Sequence, residues 1–337
     1  MKGVKNLAGG VAVAAMMAWP AAAQQPPQMT AAVGDNMNHV PSFVGVEKGI
    51  FLKQGMDLKL KVLNTGQQMS NALQAGEVQI IGSAYSNYPL AVERGMAAKG
   101  VVGLMGDRSG KYWDQSVTIW TRKGTGITKI EDLAGRKLGT PTGGTADEYL
   151  SVVLMKKGVP REKMEVLNVP PGNILSALQG GSVDAVACWE PFASQIEAKI
   201  PDAVLLSRGG GHIGYFINMA VRNDIIEKQP ELIEKYVIGV AEATWHTRKY
   251  PDEAAEISTR WIPGLDVAVA RKALTQMVFD ARITPYTVAA WDENVKVLLE
   301  QKKLKSAIPW QQGLELRFIE KVMKTQPQLF ADLKPAR

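Results

Sequence analysis

A run of small residues in the middle of the chain is the strongest candidate for ligand chemistry. Thr140-Pro141-Thr142-Gly143-Gly144-Thr145 lies between a predicted strand and a predicted helix, where small side chains let the backbone approach a ligand closely. The N–H groups of Gly144, Thr145 and Ala146 would begin that helix, and the helix dipole favours negative charge at this end. The segment therefore predicts a site for a sulfonate, carboxylate or nitrate oxygen. An ordinary capped helix start explains the same residues equally well.

Three further segments place polar or aromatic side chains directly after predicted strands. Ligands of open α/β units bind beyond the carboxyl ends of strands, so these segments are expected to meet at one cleft. Asn36-Met37-Asn38-His39 offers amides and an imidazole, Ser83-Ala84-Tyr85 a hydroxyl and an aromatic wall, and Trp189-Glu190-Pro191 an indole. Each segment has a plain structural alternative, since a lone His is often a surface residue and a Tyr can pack at the edge of a lobe. The predicted ligand contacts in these segments are Asn36, Asn38, His39, Ser83, Tyr85 and Trp189.

Glu190 and His212 are also candidate ligand contacts, with competing roles. A carboxylate facing an anion would repel it, so Glu190 contacts a cationic group on the ligand, pairs with a basic residue, or caps a helix. His212 follows Gly209-Gly210-Gly211, whose conformational freedom suits a hinge or the rim of a cleft. The residues alone leave these alternatives open.

The motifs that catalysis or nucleic-acid binding would need are missing from the sequence. G-x-x-x-x-G-K-[ST], G-x-S-x-G and H-E-x-x-H do not occur. The single cysteine, Cys188, lies in the apolar stretch Val186–Trp189, which suits a buried thiol better than a nucleophile. The formal net charge of +6 is scattered without a basic tract, which argues against a nucleic-acid surface. We predict a protein with no catalytic activity, no metal and no cofactor.

The first residues have the pattern of a secretory signal. Lys2 and Lys5 precede an apolar run from Leu7 to Trp19. Pro20 breaks that run, and Ala21-Ala22-Ala23 supplies the small residues that a signal peptidase reads. The run is too short to cross a bilayer, which needs roughly 20 apolar residues. We expect residues 1–23 to be removed and the mature chain to be a soluble periplasmic monomer.

Short β-like runs alternate with helical patterns over the rest of the chain, which predicts an α/β fold with mostly parallel strands. Predicted strands cover residues 30–33, 58–63, 78–81, 101–105, 137–140, 165–169, 183–188 and 216–221, and predicted helices cover 41–53, 65–75, 145–157, 171–179 and 231–247. Ala72–Val78 recurs as Ala177–Val183 in an equivalent helix-to-strand turn, which favours two similarly built units. We expect lobe I to comprise residues 24–121 and 216–337, with C-terminal helices, and lobe II residues 122–215.

A series of short motifs occurs in order along nearly the whole mature chain. They are Pro41–Phe51 with Gly55–Leu58, Ala72–Val78, Ile130–Lys137, Val183–Ala185 followed by Trp189–Phe192, Gln229–Leu232 and Tyr250–Ala255. In sequence and spacing this series resembles the nitrate/sulfonate/taurine family of ABC-transporter periplasmic solute-binding proteins.

The resemblance implies a type II-like periplasmic binding protein fold, in which two α/β lobes close about a hinge over an interlobe cleft. It implies an aromatic wall at Trp189, a small anionic ligand (a sulfonate or taurine first, nitrate or another small organic acid next), and delivery to an inner-membrane permease with a cytoplasmic ATPase. A periplasmic sensor domain and a binding protein for a neutral pyrimidine would have the same fold. A related pyrimidine synthase uses a His and a cysteine-rich motif, which this sequence lacks.

Overall fold

The computed structural model describes residues 25–105 and 114–335, and the predicted signal peptide at residues 1–23 lies outside them. The described ranges contain ten strands. In chain order they are β1 (Gln28–Gly34), β2 (Asp57–Leu63), β3 (Ile80–Ala84), β4 (Ala98–Gly103), β5 (Val117–Arg122), β6 (Lys137–Thr140), β7 (Glu165–Asn168), β8 (Ala185–Trp189), β9 (Ala203–Arg208) and β10 (Ile217–Arg222).

Helices alternate with these strands and then dominate the C-terminal third. In chain order they are α1 (Val40–Glu47), α2 (Ile50–Lys53), α3 (Gly66–Gln74), α4 (Tyr88–Glu93), α5 (Thr145–Lys156), α6 (Ile174–Gln179), α7 (Phe192–Lys199), α8 (Asn223–Lys228), α9 (Pro230–Lys249), α10 (Pro251–Trp261), α11 (Val267–Leu274), α12 (Pro285–Glu300), α13 (Trp310–Gly313) and α14 (Arg317–Thr325). Within the two described ranges, none of them combines the length and the apolar character needed to span a membrane.

The strands form two sheets with the same internal plan. The first has the order β2-β1-β3-β10-β4 and the second β7-β6-β8-β5-β9. In each sheet the first three strands are parallel, and the fourth, β10 or β5, runs antiparallel to both of its neighbours. This repetition confirms the predicted fold of two α/β lobes.

The chain crosses from the first sheet to the second before Val117. The predicted boundary at residue 121 falls inside β5, which pairs with β8 and β9 of the second sheet. Residues 117–121 therefore belong to the second lobe. The sequence does not reveal this boundary, because the partners of β5 are far away along the chain and no local pattern identifies them. The return crossing lies between Arg208 and Ile217, next to the predicted boundary at 216.

One predicted helix is interrupted by a glycine in the left-handed backbone conformation. The pattern over residues 41–53 predicts a continuous helix, but Gly49 has φ of 63° and separates α1 from α2. A glycine adopts this conformation without the steric cost of a Cβ atom. The short α2 then packs Phe51 against Tyr236 of α9, with ring centroids 5.8 Å apart. This contact joins α9, one of the C-terminal helices, to α2 of the first lobe.

Candidate functional site

A cavity of about 920 Å³ lies where loops after the strands of both sheets meet. This volume is near the upper end of the range for small-molecule pockets, roughly 300–1,000 Å³. The cavity brings together most of the residues predicted to contact ligand. Those that line it are Asn36, Asn38, His39, Ser83, Thr142, Gly143, Gly144, Thr145 and Trp189.

The start of α5 forms one wall of the cavity. Its N-cap is Gly144, and no side chain caps the helix. The N–H of Gly144 donates to the carbonyl of Pro141 at 3.2 Å, so it is not free for a ligand as expected. The N–H groups of Thr145 and Ala146 begin the helix and have no partner among the described residues. Two donors at the positive end of a helix dipole suit a negatively charged group.

The start of α3 forms a second wall, which sequence reasoning missed. Thr65 caps this helix by accepting the N–H of Gln68 at 3.2 Å, and Gln68 accepts from the N–H of Thr65 in return. In the part of the chain that the structure describes, this leaves the N–H groups of Gly66 and Gln67 without a partner. Both residues line the cavity. The Thr-x-x-Gln capping signature was visible in the sequence, but it does not reveal that the helix begins at the same cavity as α5.

His39 lies over the ends of β1 and β3. A Cβ atom on Gly82 would overlap Cε1 of the imidazole, and one on Gly34 would lie 3.0 Å from its Cδ2. Burial lowers the pKa of His39 to about 3, so the ring is neutral and keeps one N–H. Its Nδ1 has no hydrogen-bond partner among residues 25–105 and 114–335. A neutral imidazole in this position can donate to a ligand without adding a charge.

Trp189 ends β8 and covers the α5 side of the cavity. A Cβ on Gly144 would lie 4.0 Å from Cζ3 of the indole, which places the ring against the glycine turn. The ring is 9% exposed and packs edge-on to Phe192 at a centroid distance of 6.3 Å. Its Nε1–H is buried and finds no acceptor within the described ranges. Trp189 therefore provides an apolar surface together with one buried donor.

A chain of hydrogen bonds connects the two lobes beside the cavity. Nδ2 of Asn38 donates to the hydroxyl of Tyr215 at 2.5 Å, and that hydroxyl also bonds the side chain of Thr145. Oγ1 of Thr145 lies 2.9 Å from Oγ of Ser86. Tyr215, which was not predicted, comes just before β10, where the chain returns to the first sheet. The chain Asn38–Tyr215–Thr145–Ser86 fixes the start of α5 relative to the first lobe.

Four predicted contacts do not line the cavity. Tyr85 is fully buried and stacks on Phe216, with centroids 5.0 Å apart. Ala146 is fully buried in the first turn of α5. His212 donates its backbone N–H to Asp114 and meets the ring of Tyr149 edge-on at 5.7 Å. A side chain that follows a strand can point to the core or to the cleft, and the strand pattern does not decide which.

Glu190 is the fourth predicted contact that does not line the cavity. It forms the two internal contacts that were the alternatives to ligand binding, an ion pair with a basic residue and a helix cap. Its Oε1 lies 2.9 Å from Nη1 of Arg208, and its Oε2 accepts the N–H of Ser194 at 3.0 Å. The carboxylate therefore both pairs with a basic residue and caps α7. It is fully buried and does not line the cavity, so it is not placed to contact a cationic group on a ligand.

The lining of the cavity is neutral or cationic. Among the described residues that line it there is no Asp or Glu, and Arg94 and Lys303 carry the positive charge. Nζ of Lys303 is 2.7 Å from Oε2 of Glu148, which joins α5 to the segment after α12. No cluster of His, Cys, Asp or Glu within the described ranges could hold a metal ion. Burial raises the pKa of Cys188 to about 12, which keeps this thiol protonated and unreactive.

Comparison with known proteins identifies the family of this chain. A family model described as "NMT1/THI5 like" matches residues 36–254, well over half of the chain. A binding protein of Brucella abortus (strain 2308) is 24% identical over 224 residues, or 65% of this chain and 66% of that relative, just under two thirds of its length. The taurine-binding periplasmic protein of Escherichia coli (strain K12) is 26% identical over 209 residues, which cover 60% of this chain and 62% of the relative.

A solved structure reproduces the fold over most of the chain. The alkanesulfonate-binding protein of Xanthomonas axonopodis pv. citri, bound to MOPS, superposes with a TM-score of 0.74 and covers 87% of this chain and 100% of that protein. Its sequence is 17% identical, so the likeness establishes the shared fold and nothing about the ligand of this chain.

Proposed function

This chain belongs to the NMT1/THI5-like family of periplasmic solute-binding proteins, and from that membership we propose that it captures a small organic anion for an ABC importer. It is a binding protein rather than an enzyme. In this proposal the mature chain acts as a periplasmic monomer and delivers its ligand to an inner-membrane permease driven by a cytoplasmic ATPase. The ligand occupies the cavity between the two sheets.

The convergence of two helix starts on this cavity carries the proposal. Thr145 of α5, and Gly66 and Gln67 of α3, line a space that no described carboxylate lines, and their backbone N–H groups have no partner among the described residues. Preorganised N–H groups stabilise an oxoanion because they need no reorganisation when it binds. The buried Nδ1 of His39 and Nε1 of Trp189, both on cavity-lining residues, extend this donor set.

The size of the cavity favours an organosulfonate over nitrate. A volume of about 920 Å³ leaves most of the space beyond a single oxoanion head. Pro170, Pro171, Met69 and the ring of Trp189 supply apolar surface for the rest of a ligand. The name of the Escherichia coli relative, taurine-binding periplasmic protein, supports the same class, because taurine is a sulfonate.

Thermal unfolding of residues 24–337 with a ligand series tests the proposal. We expect alkyl- and arylsulfonates to raise the melting temperature by several degrees at concentrations well above Kd, because ligand binds only the folded state. Nitrate, taurine and a neutral pyrimidine such as thymine complete the series. Stabilisation by thymine without stabilisation by any anion would contradict the proposal and favour a heterocycle-binding protein.

Trp189→Ala is the matching site variant. We expect it to weaken binding of the best sulfonate about tenfold or more while the protein remains folded, since it removes a large apolar contact. Trp245→Ala is the control for removal of an indole, because Trp245 lies on α9 outside the cavity lining. Equal affinities of the two variants, measured by calorimetry, would show that the ligand binds elsewhere.

A further inference from the structure

Helix α4 runs along one wall of the cavity. Asn87, Leu90, Ala91 and Arg94 all line it. Their spacing places them on one face, because residues three or four apart are neighbours on a helix. With a rise of about 1.5 Å per residue, Arg94 lies roughly 10 Å along the axis from Asn87. This wall therefore begins with an amide, continues with apolar side chains and ends with a guanidinium.

The end of this wall at Asn87 lies next to the proposed oxoanion site. Ser86, next to Asn87, lies 2.9 Å from the Thr145 hydroxyl at the start of α5. A Cβ on Gly66, at the start of α3, would lie 3.7 Å from Nδ2 of Asn87. Both helix starts that would hold the oxoanion are thus beside Asn87. Arg94 lies at the other end of the wall, about two helical turns away.

The guanidinium of Arg94 has no acidic partner in the part of the chain that the structure describes. The second cation of the lining, Lys303, is already paired with Glu148 at 2.7 Å. Glu93, which precedes Arg94, instead accepts the backbone N–H of Lys305 at 2.7 Å. Many other basic side chains of this protein do form ion pairs, several at 2.6–2.8 Å. An unpaired cation in a cavity that no described carboxylate lines is available to a ligand.

We infer that the ligand is an elongated dianion, with an oxoanion head at the two helix starts, an apolar body along Leu90 and Ala91, and a second acidic group at Arg94. This inference rests on the proposed function and adds the chemistry of the far end of the ligand. The same lining disfavours an aminosulfonate, because no described Asp or Glu borders the cavity to pair with an ammonium group. Arg94 is the residue that sets this specificity.

Calorimetry with three matched naphthalene ligands tests the inference. Naphthalene-2-sulfonate carries one anionic group, naphthalene-2,6-disulfonate carries two at opposite ends, and 6-hydroxynaphthalene-2-sulfonate places a neutral group at the second position. We expect the wild-type protein to bind the disulfonate at least about threefold more tightly than either of the other two at low ionic strength. Added salt should reduce this preference, because a partly exposed ion pair is screened.

Arg94→Gln removes the charge and keeps a polar side chain of moderate length. We expect this variant to lose the preference for the disulfonate and to bind all three ligands with similar affinity. Arg317→Gln is the control, since Arg317 is exposed and lies outside the cavity lining. It should retain the preference for the disulfonate.

The outcomes separate this inference from the function on which it rests. Equal binding of the mono- and disulfonate by the wild type, or an unchanged preference in Arg94→Gln, would overturn the inference and leave anion capture intact. Failure of every sulfonate to bind would contradict the proposed function and the inference together.

Discussion

His39 shows how one residue can be fully buried and still serve a binding site. Gly34 and Gly82 leave room for the imidazole over the ends of two strands, and no larger residue fits at either position without displacing the ring or a neighbouring side chain. In this environment the cationic form would lose its hydration without gaining a counter-ion, so the ring stays neutral. The neutral ring can then donate a hydrogen bond to an anion at any pH well above its pKa of about 3.

The lowered pKa of His39 predicts a loss of stability in mild acid. Its pKa is about 3 in the folded state, against an ordinary value of 6.5. Between these values the unfolded state binds the extra proton, so the free energy of unfolding falls as the pH falls. The contribution is complete above about pH 6.5, and about 2 kcal/mol of it is lost at pH 5. Urea unfolding at pH 7, 6 and 5 measures this slope.

A His39→Gln variant serves as the control for that slope. Glutamine does not titrate, so the variant should lose most of the pH dependence between pH 7 and pH 5. A smaller slope should remain from His212, whose pKa is also lowered, mainly by burial. An identical pH dependence in the variant and the wild type would contradict the assignment to His39.

At the level of single residues, the sequence could predict cavity-lining residues that follow a strand directly. Asn38, His39, Ser83 and Trp189 fall at the carboxyl ends of their strands, and the cavity lies there. The role of Arg94 in the lining could not be predicted from the sequence. Arg94 follows the last residue of α4, and it lines the cavity only because of the direction in which that helix runs. Contacts of this kind depend on packing between elements, and no local pattern in the sequence records it.

Among the elements, the start of α5 is the one on which the proposed anion site depends most. Thr145 is the first residue of this helix, a position at which proline is tolerated because its N–H has no partner within the helix. Thr145→Pro should therefore fold, yet it removes one N–H that faces the cavity. We expect it to weaken sulfonate binding roughly 10- to 100-fold, the value of one hydrogen bond to a charged group.

Thr145→Val separates the backbone donor from the side chain. Valine keeps the N–H but loses the hydroxyl that bonds Tyr215 and Ser86. It should reduce affinity less than proline does, because the N–H still points to the ligand. Calorimetry measures the sulfonate affinity of both variants. Equal losses of affinity would mean that the hydroxyl, and not the backbone N–H at the helix start, binds the anion.

The elements that were predicted well are those whose signal is local. The helix at 145–157 was predicted almost to the residue. Its apolar pattern begins directly after the turn at Gly143-Gly144 and ends at Gly158, and glycines at these positions are signals for a helix start and a helix end. β5 and β9 were not predicted as strands. β9 is half-exposed at the edge of its sheet and pairs with β5. β5 has no hairpin partner nearby, and its pairing with β8 and β9 depends on segments that are far along the chain.

For the whole molecule, the proposed periplasmic location makes a prediction about the mature N-terminus. Expression of the full chain in a bacterium with a general export pathway should yield a periplasmic protein that begins at Gln24. Intact-mass spectrometry of the periplasmic fraction checks this. Replacing Ala21 and Ala23 by larger residues should block processing and leave the precursor with the membranes. A cytoplasmic, uncleaved product from the unaltered chain would contradict the prediction.

The return of the chain to the first sheet as β10 also constrains how this protein is made. β3 cannot acquire its antiparallel neighbour β10 until the entire second sheet has been synthesised. Pairing between such distant segments is slow, because a long stretch of chain must be ordered before the contact forms. The first sheet therefore lacks β10, the strand that joins β3 to β4, while the ribosome completes the rest. A precursor that closes late is one that an export channel, which threads unfolded chains, can still accept.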